Sequence, residues 1–401
     1  MYKNLLLGFI AFLILIMMIL MIYVKVKHRF WSIQPVFHVY SIRNWLFPKG
    51  IINEKLPLPN KFCDFFSTKT IKIKELEDSE AKKYKSNILF FSPELSTHFT
   101  NFVEKNYLQT KNVQYSPLKE NIIPYFKNHN HPSYLTYYIN QINNINSIAG
   151  YITSRPLEVF LDGYNLLVYY VDYLCVDKNQ RKKGIAPNLI QSHIYNQRHD
   201  NKMVDIILFK RETRLNLLVP LTIYMTYGFD LYYWKIPKKM APGFSILRIT
   251  TDNFYFCREL LYNTAKTKFK CTVFPNTGNF LHLIETKNLI VYALMQNKEL
   301  IAIYIFRDEC TTVNDKKIVG CIGTISNCTV KNLFVLGFHH CLFDLRKKGF
   351  LYVNIENISN NDSIIENIIT KYAPNSVSKT AYYFYNFAVL PKLSKEVLII
   401  S

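Results

Sequence analysis

The eight cysteines (Cys63, Cys175, Cys257, Cys271, Cys310, Cys321, Cys328 and Cys341) include no Cys-x-x-Cys pair, which argues against a zinc site. Eight thiols in 401 residues are too few for a disulfide scaffold, so reduced thiols in a cytosolic compartment are expected. Acidic residues are in deficit: 29 Asp and Glu against 49 Lys and Arg leave a formal charge of +20. Such a balance suits nucleic acid or an anionic membrane. However, the lysines are dispersed and no zinc finger or basic zipper is present. The charge therefore reads as a solvated Lys-rich surface, and no nucleic acid is expected as a partner. Internal repeats are lacking, and glycine is scarce. What is abundant is Asn, Ile, Lys and Tyr, the mark of an AT-rich genome such as large viruses and protists carry. The length is enough for two domains, and with 49% hydrophobic residues a sizeable core can form.

Only one long apolar run exists, Leu5 to Tyr23. At ~1.5 Å per residue it can just cross a hydrocarbon core of ~30 Å. It is long for a signal-peptide core, and no small-x-small cleavage site follows. Lys25, Lys27, His28 and Arg29 come after it, whereas only Lys3 and the terminal amine precede it. The positive-inside bias then puts the C-terminal body in the cytosol, behind a single-pass anchor.

The rest reads as mixed α/β. Strands are expected at Ser147–Thr153, Leu166–Val176, Val204–Leu208, Leu289–Met295, Leu300–Phe306, Tyr352–Ile355, Tyr382–Phe387 and Val397–Ile400. Helices are expected at Ile185–Gln197, Leu333–Leu345 and Ser363–Lys371. The Asn-rich segment Asn140–Asn146 reads as a loop. Pro237 to Gly243 interrupts the pattern and suggests a boundary, giving an anchor (1–25) and two halves (26–235 and 236–401).

The stretch Tyr173-Leu174-Cys175-Val176-Asp177-Lys178-Asn179-Gln180-Arg181-Lys182-Lys183-Gly184-Ile185-Ala186-Pro187 is the most informative. An apolar strand ends in a basic loop, and a helical pattern follows. Backbone N–H groups at a helix N-terminus can meet a pyrophosphate, and Arg and Lys add charge. Pro187 is tolerated in the first turn, where its missing N–H costs nothing, and Ile185, Leu189, Ile190 and Ile194 can share one buried face. This strand, loop and helix form the core of a GNAT-type acyl-CoA-dependent domain. Cys175 has no evident His partner and reads as a core residue.

Four stretches together resemble the N-myristoyltransferase (glycylpeptide N-tetradecanoyltransferase) family. They are Phe30-Trp31-Ser32-Ile33-Gln34-Pro35-Val36, Tyr115-Ser116-Pro117, the Tyr173–Pro187 stretch, and Tyr382-Tyr383-Phe384-Tyr385-Asn386 with the tail Glu396-Val397-Leu398-Ile399-Ile400-Ser401. The resemblance implies two tandem GNAT-like halves related by a pseudo-twofold axis. The first would bind myristoyl-CoA, the acyl donor. The second would build much of the groove for proteins or peptides with an N-terminal glycine. It further implies that the terminal carboxylate of Ser401 takes a proton from the glycine amine, and that the backbone N–H groups of Tyr173 and Leu174 meet the oxyanion. Lys182, Gly184, Ile185 and Ala186 would line the pyrophosphate loop, beside Cys175 and Val176, with Arg181 and Lys183 adding charge. Arg29, Phe30 and Trp31 would clasp the nucleotide side, although Phe30 and Trp31 also suit a membrane interface. No metal and no acyl-enzyme are implied.

Departures concentrate in the peptide half. The family's acidic run before Tyr-Ser-Pro is replaced by Val103-Glu104-Lys105-Asn106-Tyr107, which points to less basic substrates. The family's Tyr-Trp-His has no counterpart around Tyr224–Gly228. Its Gly-rich loop is replaced by Ala373–Lys379, and its Tyr-x-Phe-Tyr-Asn strand by Gly323–Asn327. Three activities stay open: a membrane-tethered glycine N-myristoyltransferase, an inactive scaffold that holds acyl-CoA or a myristoylated N-terminus, and a GNAT acyltransferase using another amine and a shorter acyl chain.

Overall fold

The structure is a computed structural model that describes residues 2–48, 50–73, 92–107, 113–142, 145–212, 217–232, 234–328 and 330–401. Its strands in chain order are β1 (Gly50–Ile51), β2 (Thr68–Ile73), β3 (Val113–Tyr115), β4 (Ser133–Ile142), β5 (Ile145–Leu161), β6 (Tyr164–Val176), β7 (Ile206–Arg211), β8 (Thr222–Asp230) and β9 (Phe244–Ile249). The chain continues with β10 (Cys271–Phe274), β11 (Leu289–Gln296), β12 (Glu299–Val313), β13 (Lys316–Ser326), β14 (Phe350–Glu356), β15 (Ser376–Tyr385), β16 (Phe387–Ala388) and β17 (Val397–Ile399). All but β1 and β16 belong to one mixed sheet.

The topology repeats. β4, β5 and β6 run antiparallel, helix Ile185–Asp200 follows, and β7 returns parallel to β6. β11, β12 and β13 likewise run antiparallel, helix Lys331–Lys347 follows, and β14 returns parallel to β13. Each half then gives its next strand to the other, so β8 pairs with β14, and β15 with β7. β8 and β15 also pair with each other and close the seam. These are the two tandem pseudo-symmetric halves expected from the sequence.

Each expected strand and helix is present, with shifted ends. Two readings need correction. Asn140–Asn146 is not a loop: β4 runs to Ile142 and β5 starts at Ile145, a tight hairpin whose Asn143 and Asn144 lie outside the described residues. Ser376–Lys379 belongs to β15, because pairing with β8 satisfies its backbone.

Helix Ile185–Asp200 buries Ile185, Leu189 and Ile194, with Ile190 partly covered. Its face also carries polar anchors into the sheet. His193 bonds Thr136 Oγ1 at 2.8 Å and Ser154 Oγ at 2.9 Å, and Gln197 donates to Ser154 Oγ at 2.9 Å. Burial pushes the His193 imidazole down to about 3, so it folds neutral. The helix sits close because β5 has a glycine beneath it: a Cβ on Gly150 would lie 2.9 Å from Leu189 Cδ1 and 3.0 Å from the Cys175 carbonyl oxygen.

The N-terminal helix α1 (Tyr2–Lys27) contains a stretch, Leu7–Lys27, with mean hydropathy 3.0, apolar and long enough to cross a membrane.

Two predictions follow from this packing. Gly150→Ala overpacks the helix–sheet contact and should cost about 1–3 kcal/mol in urea unfolding. His193 takes a proton when unfolded near its ordinary 6.5 but not when folded until about 3. Its contribution is therefore full above pH ~6.5 and is lost as pH falls toward 3. His193→Gln should flatten that part of the stability–pH curve, measured by denaturation across the range.

Candidate functional site

β6 pairs with β5 along its length, but with β7 only over Val168–Val171. Beyond Val171 the two parallel strands part, and the C-terminal end of β6 stands beside an opening. There the β5–β6 register slips: Thr153 faces Asp172 and Tyr151 faces Cys175, so Tyr173 and Leu174 together oppose Ile152. This is a β-bulge, which re-aims backbone groups out of the ladder. Tyr173 has φ of 44°, a left-handed conformation that costs a non-glycine residue roughly 1–3 kcal/mol. Its side chain holds the strain in place: the ring meets Phe99 edge-on at 5.8 Å, and its hydroxyl lies 3.3 Å from Tyr115 Oη. The Tyr173 N–H donates to Asp172 Oδ1 at 3.1 Å. Leu174 is half-buried and lines two adjoining cavities, of about 1260 and 780 Å³.

The larger cavity is floored by the loop after β6. Asp177 Oδ1 accepts Asn179 N–H at 2.8 Å and shapes the turn. Arg181 Nη2 donates to the Asn106 carbonyl at 2.7 Å, while its Nε reaches the Val176 carbonyl at 3.3 Å. The guanidinium thus ties the loop to the end of helix Pro93–Asn106. Lys182 and Gly184 have φ of 67° and 81°, which curls the backbone into the helix start. Gly184 caps that helix without a side chain, and a Cβ there would meet open space. The first-turn N–H groups are left for an anion. Val176, Arg181, Lys182, Gly184, Ile185 and Ala186 all line this cavity. Lys183 is not among them; its Nζ donates to Oε1 of Gln180, itself a wall of this cavity, at 2.8 Å. Cys175 also lines it, but burial pushes the thiol up to about 12, so it is no nucleophile near neutral pH.

The smaller cavity contains Trp31, Tyr173, Leu174 and Ser401. Trp31 stacks on Phe209, with ring centroids 5.5 Å apart. Arg29 and Phe30 lie outside the walls of both cavities; Phe30 packs edge-on against Phe62 at 5.2 Å. The tail reaches the cavity because β17 runs parallel to β10 and Ile400 N–H donates to the Val273 carbonyl at 2.8 Å. Ser401 is then held twice. Arg307 Nη1 donates to its main-chain oxygen at 2.8 Å, and its Oγ lies 2.9 Å from Tyr382 Oη. A Lys210–Glu356 ion pair at 2.7 Å stands in the same cavity. Among the described residues, no group of three or more His, Cys, Asp or Glu could hold a metal.

Sequence reasoning missed Arg307, Asp172 and Arg155. Arg155 is the largest side chain with no exposure. Its guanidinium lies over the rings of Tyr125 and Tyr170, at 5.1 and 5.4 Å. None of its three nitrogens has a hydrogen-bond partner among the described residues, and Asp172 Oδ2 is 3.9 Å from Nε. The available signal was a lone cation inside the apolar run before Pro156. A buried cation with incomplete pairing costs stability, and an apolar replacement is often neutral or stabilising. Arg155→Met should therefore not lower the melting temperature, whereas it should move ligand binding at the bulge by releasing Asp172. Calorimetric unfolding of the variant would check the first half, and the second would be checked with the ligand proposed below.

No family model matches the chain, and no curated protein matches it by sequence. Solved structures do. Saccharomyces cerevisiae N-myristoyltransferase with bound myristoyl-CoA superposes with a TM-score of 0.67 at 13% identity, covering 92% of this chain and 94% of the yeast one. A second structure of the yeast enzyme with bound myristoyl-CoA gives 0.68 at 14% identity, covering 92% and 90%. At such identity the shared property is the fold: over nearly its whole length, this chain folds as yeast N-myristoyltransferase does.

Proposed function

We propose that the protein transfers a tetradecanoyl group from myristoyl-CoA to the N-terminal glycine amine of proteins or peptides, at the cytosolic face of a membrane that α1 crosses. The observation that carries this reading is the bulge at Tyr173–Leu174, set between a basic helix N-terminus on one side and Ser401 on the other. The yeast enzyme of the same fold holds myristoyl-CoA.

In this reading, residues 26–235 hold the donor and 236–401 build much of the acceptor groove. Lys182 and the N–H groups of Gly184, Ile185 and Ala186 take the pyrophosphate, with Lys183 nearby. Arg181 fixes the loop and adds its charge. Of the residues the resemblance assigns to the nucleotide side, Trp31 walls the smaller cavity and Arg29 and Phe30 lie outside both walls, while Cys175 and Val176 line the path of the pantetheine. The glycine amine loses a proton to the Ser401 carboxylate and attacks the thioester carbonyl. A C–N bond forms, and the carbonyl electrons move onto oxygen. The N–H groups of Leu174 and Tyr173 receive that oxyanion, the latter once Asp172 yields it. Collapse breaks the C–S bond and expels CoA thiolate, which takes up the second proton lost by nitrogen, leaving an amide and the CoA thiol.

Two contacts favour a second reading, an inactive scaffold that holds acyl-CoA or an acylated N-terminus. Arg307 engages the Ser401 main-chain oxygen, and a guanidinium partner weakens a carboxylate as a base. Asp172 also occupies one oxyanion donor.

The full chain in detergent would be mixed with myristoyl-CoA and a panel of Gly-initiated peptides and read by mass spectrometry. Transfer that disappears when one residue is added after Ser401 is the expected result. Tight myristoyl-CoA binding with no transfer to any peptide would make the scaffold the better account.

A further inference from the structure

Helix α1 is seated in the body rather than tethered to it. Val24 is 4% exposed and packs in one cluster with Val36, Tyr169, Ile194 and Leu217. The backbone runs on without a linker: His28 N–H donates to the Val24 carbonyl at 2.8 Å, and Ser32 N–H to the His28 carbonyl at 3.0 Å. If Leu5–Tyr23 lies in a bilayer, the body therefore meets that bilayer at a set angle.

Two segments joined to this foot by short contact paths expose apolar side chains. The first is the short helix Ile42–Leu46, where Ile42, Leu46 and the following Phe47 are 59%, 67% and 73% exposed. It is joined to the foot by a short path. Trp45 Nε1 donates to the Val39 carbonyl at 3.0 Å, Val39 N–H donates to the Leu217 carbonyl at 3.0 Å, and Leu217 shares the Val24 cluster. In the second, Phe62 packs against Phe30, three residues beyond α1, and the same segment exposes Leu58 (82%) and Phe66 (78%). Lys25, Lys27, Arg29, Arg43 and Lys61 are interspersed with these groups. Single exposed apolar residues need no explanation, but a group of them around the exit of an apolar helix does. Aromatic and aliphatic side chains mixed with Lys and Arg at a helix exit match the headgroup layer of an anionic bilayer.

Resting on the reading of α1 as a membrane span, we propose that the Ile42–Phe47 and Leu58–Phe66 segments insert into the headgroup layer of the leaflet from which α1 emerges. The body then lies against the lipid in one orientation, with Arg29, just past the end of α1, at the surface. A lipid surface is the occupant because any partner here must share the space with the end of α1.

The test uses the full chain in nanodiscs of phosphatidylcholine, with and without phosphatidylserine, each doped with a diazirine-bearing lipid. Crosslinked residues are mapped by mass spectrometry. Labelling at 42–47 and 58–66 should be several-fold above that at Tyr164 and Ile236, apolar residues equally exposed elsewhere. Phosphatidylserine should raise it, and Leu46→Glu with Phe47→Glu should abolish it at 42–47 while α1 stays labelled. Labelling confined to α1, or chain-to-chain crosslinks at these segments, would overturn the proposal in the unmodified protein, whatever the variant does. Failure to label α1 would remove the span and the proposal together. The readout requires no turnover, so it is separate from the fate of the acyltransferase reading.

Discussion

The parting of β6 from β7 after Val171 is the constraint on which the rest depends. Two parallel strands that stay paired leave no room for a ligand between them. Once they part, the C-terminal end of one strand faces an opening, and the helix that follows presents its N-terminus to the same space. The bulge at Tyr173–Leu174 sits where the pairing ends, so the strained residue and the unpaired backbone coincide. The matching strands of the second half part as well, since β13 runs to Ser326 but pairs with β14 only as far as Cys321, and there the tail lies against the parted end, with Leu398 and Ile400 next to Gly323. Two halves with one topology thus do different work. One holds open a slot, and the other supplies walls through β12, β13 and β14.

The exchange of β8 and β15 binds that arrangement together. Neither half completes its sheet alone: β7 is covered by a strand from beyond residue 375, and β14 by one from before residue 231. The tail adds a second tie, since β17 lies on β10 and β10 on β5 of the first half. Leu398 and Ile400 pack close to Gly323, where a Cβ would come within 2.7 Å of Leu398 Cδ1. β13 therefore uses a small residue at position 323 to admit the tail. That is a packing reason for Gly323 that no motif comparison would supply.

Much of the fold was legible because strong local signals agreed with the global arrangement. The run from Tyr173 to Pro187 contains a strand end, a basic turn and a helix start within fifteen positions, and all three form where expected. The hairpin at Asn140–Asn146 was misread because asparagine favours turns, while the pairing of Tyr134–Ile139 with Ile148–Ser154 decided the register from both flanks. At the site, the loop backbone was readable but the committed side chains were not. Arg181 and Lys183 look alike in sequence as phosphate ligands, yet one is tied to the carbonyls of Asn106 and Val176 and the other to Gln180. Arg307 and Arg155 were invisible for a different reason. Arg307 acts through a partner 94 residues away and Arg155 through the β5–β6 strand register, and no local pattern reports such contacts.

If Ser401 is the base proposed above, the Arg307 contact looks at first like an argument against that role, because a guanidinium stabilises an ionised carboxylate and weakens it as a base. The size of the task decides how much this matters. A terminal amine with a pKa of ~7.7–8 is already neutral in roughly a tenth of molecules at pH 7. In the proposed transfer the base need only complete that deprotonation and leave the lone pair free to attack. A weak but fixed carboxylate meets that need if it is always ionised and always oriented. Arg307 and Tyr382 supply both conditions, the first through charge and the second through the Ser401 hydroxyl. A stronger base in a looser tail would gain basicity and lose position, and for an acceptor this close to neutrality position is the scarcer quantity.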